Sequence, residues 1–117
     1  MSVTFDPKKV EAGQTNVLVT IHRKQFDLVE PVIVRFLTRK DNGNFVDCGD
    51  LGDNPDNLQD NEYIRIVSDP ITSGGSKIEV TINILAVNTP QSFSKVFVRN
   101  GDSQEFLSEE CFEIEPV

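Results

Sequence analysis

The sequence predicts an all-β chain, folded as an antiparallel Greek-key sandwich of about seven to eight strands. Three observations lead there. Apolar and polar residues alternate in several runs, hardly any window shows the i, i+3, i+4 spacing of an amphipathic helix, and turn formers punctuate the chain at short intervals. The chain has 117 residues, which suits one domain over 1–117, because two would not each bury a core of their own.

The strands follow in order. Asn16 to His22 sets Val17, Val19 and Ile21 on one face and Leu18, Thr20 and His22 on the other, the pattern of a half-buried strand. Residues 32–38 place Val32, Val34 and Phe36 opposite Ile33, Arg35 and Leu37, so both faces are partly apolar, as in a central strand. Asp41-Asn42-Gly43-Asn44 supplies residues that tolerate positive φ and predicts a tight hairpin. Tyr63 to Val67 offers Ile64 and Ile66 to the interior. Thr72-Ser73-Gly74-Gly75-Ser76 reads as a longer, flexible loop. Residues 77–86 give the longest alternation, with Ile78, Val80, Ile82 and Ile84 inward. Phe93 to Arg99 and Glu105 to Ile114 form the last pair, joined at Asn100-Gly101-Asp102; the phase slip from Phe93 to Val96 predicts a bulge or a two-sided strand. Pro31, Pro70 and Pro90 each stand just outside a strand, where a missing N–H breaks no ladder. The expected core is Val17, Val19, Ile21, Val34, Phe36, Ile64, Ile66, Val80, Ile82 and Phe112.

Two stretches resemble a known family. Pro7, Val10, Ala12-Gly13, Thr15, Val17, Val19-Thr20-Ile21, then Phe26 and Val32-Ile33-Val34-Arg35-Phe36, are similar to the opening of immunoglobulin-like domains of the IPT/TIG type. Val96-Phe97-Val98-Arg99-Asn100-Gly101-Asp102-Ser103 with Phe112-Glu113-Ile114 resembles the family's last hairpin. The chain departs from the pattern in reading Gly13-Gln14-Thr15 where a double glycine is usual, in lacking the glycine before the phenylalanine, and in its acidic insertion at 41–62. The resemblance implies an immunoglobulin-like sandwich with a binding role in adhesion, receptors, enzyme accessory domains or transcription-factor dimers.

Lys and Arg number 11 against 19 Asp and Glu, a net charge of −8 that repels a phosphate backbone. The signs are unevenly spread. Residues 1–40 carry seven bases and four acids, residues 41–117 four bases and fifteen acids. Because strands from both halves interleave in a sandwich, compensation across strands is the expected outcome. A basic patch of Arg23, Lys24, Arg35, Arg39 and Lys40 is the one candidate for nucleic acid; it lacks interleaved aromatics, and no nucleic-acid partner is expected. No run reaches the ~20 apolar residues of a membrane helix, so no membrane span is expected. Met1 to Asp6 lacks the basic and apolar blocks of a secretion leader, which reads as cytoplasmic by default and extracellular if the module is excised from a longer chain. Cys48 and Cys111 accordingly read as two free thiols in a reducing compartment, with a single disulfide as the alternative.

The residues argue against catalysis. His22 is the only histidine and ends a strand beside Arg23, where a solvated imidazole is expected. Cys48 and Cys111 stand among acids, which oppose thiolate formation. Without Trp and with Tyr63 alone, there is no aromatic platform for sugars, and Ser73-Gly74-Gly75-Ser76 lacks the lysine and helix of a phosphate loop. No catalytic residue and no resident cofactor are expected.

The segment 41–62 holds seven acids and no base. Asp50, Asp53, Asp56 and Asp60 are its candidate metal ligands, since Ca²⁺ takes oxygen donors from flexible loops; their spacing is not that of an EF-hand, and a hydrated turn-rich loop explains the same letters. The expected function is a non-enzymatic protein-interaction or adhesion module, the alternative a Ca²⁺-binding C2-like or adhesion domain using this loop. A protein partner is expected to add to a sheet edge, at 44–48 or 104–115, with the chain itself a monomer or weak homo-oligomer.

Overall fold

The computed structural model describes residues 2–23, 31–101 and 104–117. Among these there is no α-helix, and twelve strand segments form in chain order: β1 (Thr4–Asp6), β2 (Lys9–Glu11), β3 (Val17–His22), β4 (Val32–Thr38), β5 (Lys40–Asp41), β6 (Asn44–Phe45), β7 (Gln59–Asp60), β8 (Ile64–Ile66), β9 (Ile71–Ser73), β10 (Lys77–Ile84), β11 (Ser92–Asn100) and β12 (Gln104–Glu115). The excess over the expected seven to eight comes from pieces of two or three residues, too short to show a period.

One sheet runs β1-β3-β10-β8, with β9 continuing beyond β8 along the same side of β10. The other runs β2-β12-β11-β4-β7, where β2 joins β12 in parallel and the remaining pairs are antiparallel. Their inner faces share one apolar cluster. Val19 and Ile21 of β3, Ile78, Val80, Ile82 and Ile84 of β10, Val34 and Phe36 of β4, Val96 and Val98 of β11, and Phe106, Phe112 and Ile114 of β12 are all buried in it. Phe112 packs edge-on to Phe36, ring centres 5.1 Å apart, which fixes one contact within this layer. The arrangement is all-β and sandwich-like.

Most of the expected core holds. Val17 and Ile64 are only partly buried against the cluster, and Ile66 is a correction at 40% exposure. Ile66 pairs with the fully buried Ile82, so it points to the inner face, but it lies on an edge strand past the reach of the opposing sheet.

The hairpin at 41–44 forms with Asn42 and Gly43 both at positive φ, the two-residue primed turn that matches strand twist. The expected loop at 72–76 is instead a second hairpin: Ile71–Ser73 pairs with β10, and Gly74 and Gly75, both at positive φ, turn the chain. Along β11 the alternation is regular, inner residues Ser92, Ser94, Val96 and Val98 against outer Phe93, Lys95 and Phe97, so the slip read in the sequence is a two-sided strand. The irregularity falls on β12, between the pairs Lys95–Cys111 and Phe97–Leu107. Ser108 repairs the ladder there: its Oγ accepts from the Val96 N–H (2.9 Å) and donates to the Glu110 carbonyl (2.7 Å).

Candidate functional site

Two regions warrant comparison, the acidic insertion and the open side of the sandwich. The insertion leaves β4, passes the β5/β6 hairpin and two short 3-10 turns, Cys48–Asp50 and Pro55–Asn57, and returns as β7. Asn54 caps the second turn, its Oδ1 accepting from the Asp56 N–H at 3.0 Å, with Pro55 at the first position of the turn. Cys48 and Cys111 form a disulfide, Cα atoms 6.0 Å apart, which corrects the expectation of free thiols. The two residues are distant in sequence, and only the return of β12 beside the insertion brings them together.

The disulfide pins the insertion to the outer face of the second sheet. Leu37, Lys95 and Cys111 are register neighbours across β4, β11 and β12, with side chains on that face. Leu37, Phe97 and Leu51 are buried hydrophobics outside the inter-sheet cluster, Leu51 being only 1% exposed. Of the three, Leu51 is supplied by the insertion. Lys95, whose side chain is 7% exposed, reaches Asp53 at 3.3 Å.

The four candidate metal ligands are therefore not gathered. Asp53 faces Lys95, and Asp60 accepts from Arg35 Nε at 2.8 Å. Asp50 and Asp56 belong to the two separate turns. Among the described residues no group of three or more His, Cys, Asp or Glu side chains is placed to hold a metal ion.

Acids of this segment instead meet the bases of the candidate nucleic-acid patch. Arg35 pairs with Asp60, Arg39 with Asp41 at 3.5 Å and Lys40 with Glu62, while Arg23 lies over the Phe106 ring at 4.5 Å; Lys24 is outside the described residues. The uneven charge halves thus compensate across strands. Glu62 holds the Lys40 ammonium above its ordinary pKa through their hydrogen bond, and Glu115 with Glu113 does the same for Lys9, tying β2 to β12.

The two expected edges differ: the one at 44–48 is reduced to a two-residue strand, and the one at 104–115 is open over most of its length among the described residues. Asn44–Phe45 pairs only with Lys40–Asp41, and Cys48 sits in a disulfide-bonded turn. β12 pairs with β11 over most of its length and with β2 only at Glu113–Glu115, so among the described residues no strand covers its other side from Gln104 to Phe112.

The open side lies between β4 and β8. β7 pairs with β4 only at Leu37 and Thr38, so among the described residues no strand covers β4 from Val32 to Arg35 on that side. The Phe36 carbonyl accepts from the Asn61 N–H (2.8 Å) toward β7, while the Pro31 carbonyl accepts from Gly101 N–H (2.9 Å) toward β11. Because successive peptide groups of a strand point to opposite edges, Val32 and Val34 turn their N–H and C=O to the open side. On the facing strand, Val67 N–H donates to Thr81 (2.9 Å) and Leu85 N–H to Tyr63 (2.9 Å), which leaves the Ile66 peptide groups pointing away from β10.

Two adjoining recesses of about 490 and 450 Å³ share Val34 and Ile66 and form one groove between these edges. Its β7 end is anchored by a buried polar knot: Asn61 Nδ2 donates to Ser92 Oγ (3.0 Å) and Ser94 Oγ (2.9 Å), and Asn61 Oδ1 accepts from Tyr63 N–H (3.0 Å). Ile33, Ile66, Val67 and Ile71 are exposed along this side. The sequence reading assigned Ile66 to the core; the signal that marks the edge is the brevity of the run at 64–66, cut off by Ser68-Asp69-Pro70. No protein-family model matches the chain, and no curated protein and no solved structure matches it either.

Proposed function

We propose that the chain is a non-enzymatic protein-interaction or adhesion module with an immunoglobulin-like Greek-key fold. Support for the fold comes from the sheet orders, from the N-terminal segment dividing between the sheets as β1 and β2, and from β3 to β4 and β10 to β11 crossing between them. The residues similar to IPT/TIG domains fall on β2, β3, β4 and the β11/β12 pair or, for Pro7, Ala12, Gly13, Thr15 and Gly101, on the turns beside them, while Phe26, Asp102 and Ser103 lie outside the described residues. The Cys48–Cys111 bond supports work in an oxidising compartment, where such bonds persist.

The observation that carries the binding role is the open side: free strand edges and exposed apolar residues together are what a partner strand or surface covers. Asp53 and Asp60, already paired with cations, weaken the calcium alternative. The experiment has two arms. Proteins cross-linked to the oxidised chain are purified and titrated individually, and at least one is expected to bind saturably to the native chain and not to the reduced, unfolded one. Calorimetry with CaCl₂, alongside melting with and without chelator, is expected to show no saturable heat and an unchanged midpoint. Saturable Ca²⁺ binding with stabilisation would replace this reading with the calcium-dependent one.

A further inference from the structure

We infer that the β4/β8 groove accepts an extended peptide segment of a partner protein, apolar at alternate residues and carrying a carboxylate at the end nearest β7. The inference rests on the interaction-module reading and names the surface and the chemistry of what it takes. Val32 and Val34 present donors and acceptors two residues apart, the repeat that a strand added at the edge of β4 would satisfy. On such a strand alternate side chains face the interior. Here they meet Val34, Ile64 and Ile66, so apolar residues belong at those positions. The Ile66 side chain, directed inward yet 40% exposed, lacks the cover that such a residue would supply.

Charge sets the polarity of the peptide. Arg65 is exposed at the β7 end, lining the same recess as Arg35, and makes no ion pair among the described residues; Asp69, also exposed and unpaired among them, lies at the other end. An acid beside Arg65 and a base beside Asp69 are the complementary arrangement. β7 closes the groove at Leu37, which leaves room for about four residues of added strand along Val32–Arg35. A second copy of the chain fits less well: a neighbouring sandwich edge would pair with one wall, whereas a single extended strand contacts both.

The test is selection of random peptides of about twelve residues on the immobilised, oxidised chain, followed by titration of the synthesised winners. The winners are expected to alternate apolar with polar residues and to carry an acid near one end. Their affinity should fall about tenfold or more in Ile66→Lys and in Arg65→Glu, both exposed positions that leave the core intact, and remain in Glu105→Gln on β12. Hydrogen exchange at the Val32, Val34 and Ile66 amides should slow on binding. Winners indifferent to both groove substitutions, or protection confined to β12, would overturn the groove and keep the interaction module. Self-association abolished by Ile66→Lys would make a second copy the occupant and overturn the peptide. Failure to enrich any peptide sinks this site, while the capture of a whole-protein partner stands or falls by its own titration.

Discussion

The two sides of the β2-β12-β11-β4-β7 sheet treat apolar residues in opposite ways. On its outer face, Leu37 and Phe97 are buried, and the insertion that lies there adds its own Leu51, held by a covalent bond at Cys48 and an ion pair at Asp53. At the β4 edge, Ile33 and the facing Ile66 and Val67 remain exposed, although they too are large apolar residues. The difference teaches that side-chain type does not decide burial here. Cover does, and the cover comes from a segment whose composition is mostly acid and amide. The acidic loop is in this fold a cover fastened over a sheet, with Asp41, Asp53, Asp60 and Glu62 paired to neighbouring Lys and Arg.

Breaking the fastened side should have the largest effect. Cys48→Ser with Cys111→Ser opens a loop closed over 63 positions, and loop-closure entropy puts the loss at about 4 kcal/mol, to be read from urea unfolding of oxidised and mutant chains. A mutant as stable as the parent would mean that the insertion needs no covalent fastening. Leu51→Ala removes the insertion's own buried side chain, and about 2–4 kcal/mol is expected from the same measurement. A cost below about 0.5 kcal/mol would assign Leu51 to the surface. The open side supplies the small end of the scale. Ile66→Ser, at an uncovered position, should cost about 1 kcal/mol or less, and an unfolding midpoint displaced as far as that of Leu51→Ala would erase the contrast between the two sides.

Much of the sandwich was legible in the residues. The alternation of β10 identified all four of its buried positions, and Asn42-Gly43 identified a hairpin, because period and positive-φ tolerance are local properties that survive any tertiary context. Short strands such as β1, β2, β7 and β9 were not legible, since two or three residues carry no period and form only when a longer neighbour offers its edge. Of the site, Ile33 was read as an outward apolar residue, but Ile66 was read as core, because inward direction and burial coincide everywhere except at an edge.

Sequence alone determined the all-β class, the inner faces of the long strands and the sign of each charged segment, all of which follow from residue type and spacing along the chain. Tertiary structure decided which cysteines meet, which carboxylates face a cation instead of one another, and which side of the sandwich stays open. Those depend on distances between residues far apart in the chain, and the pattern of no single segment contains them.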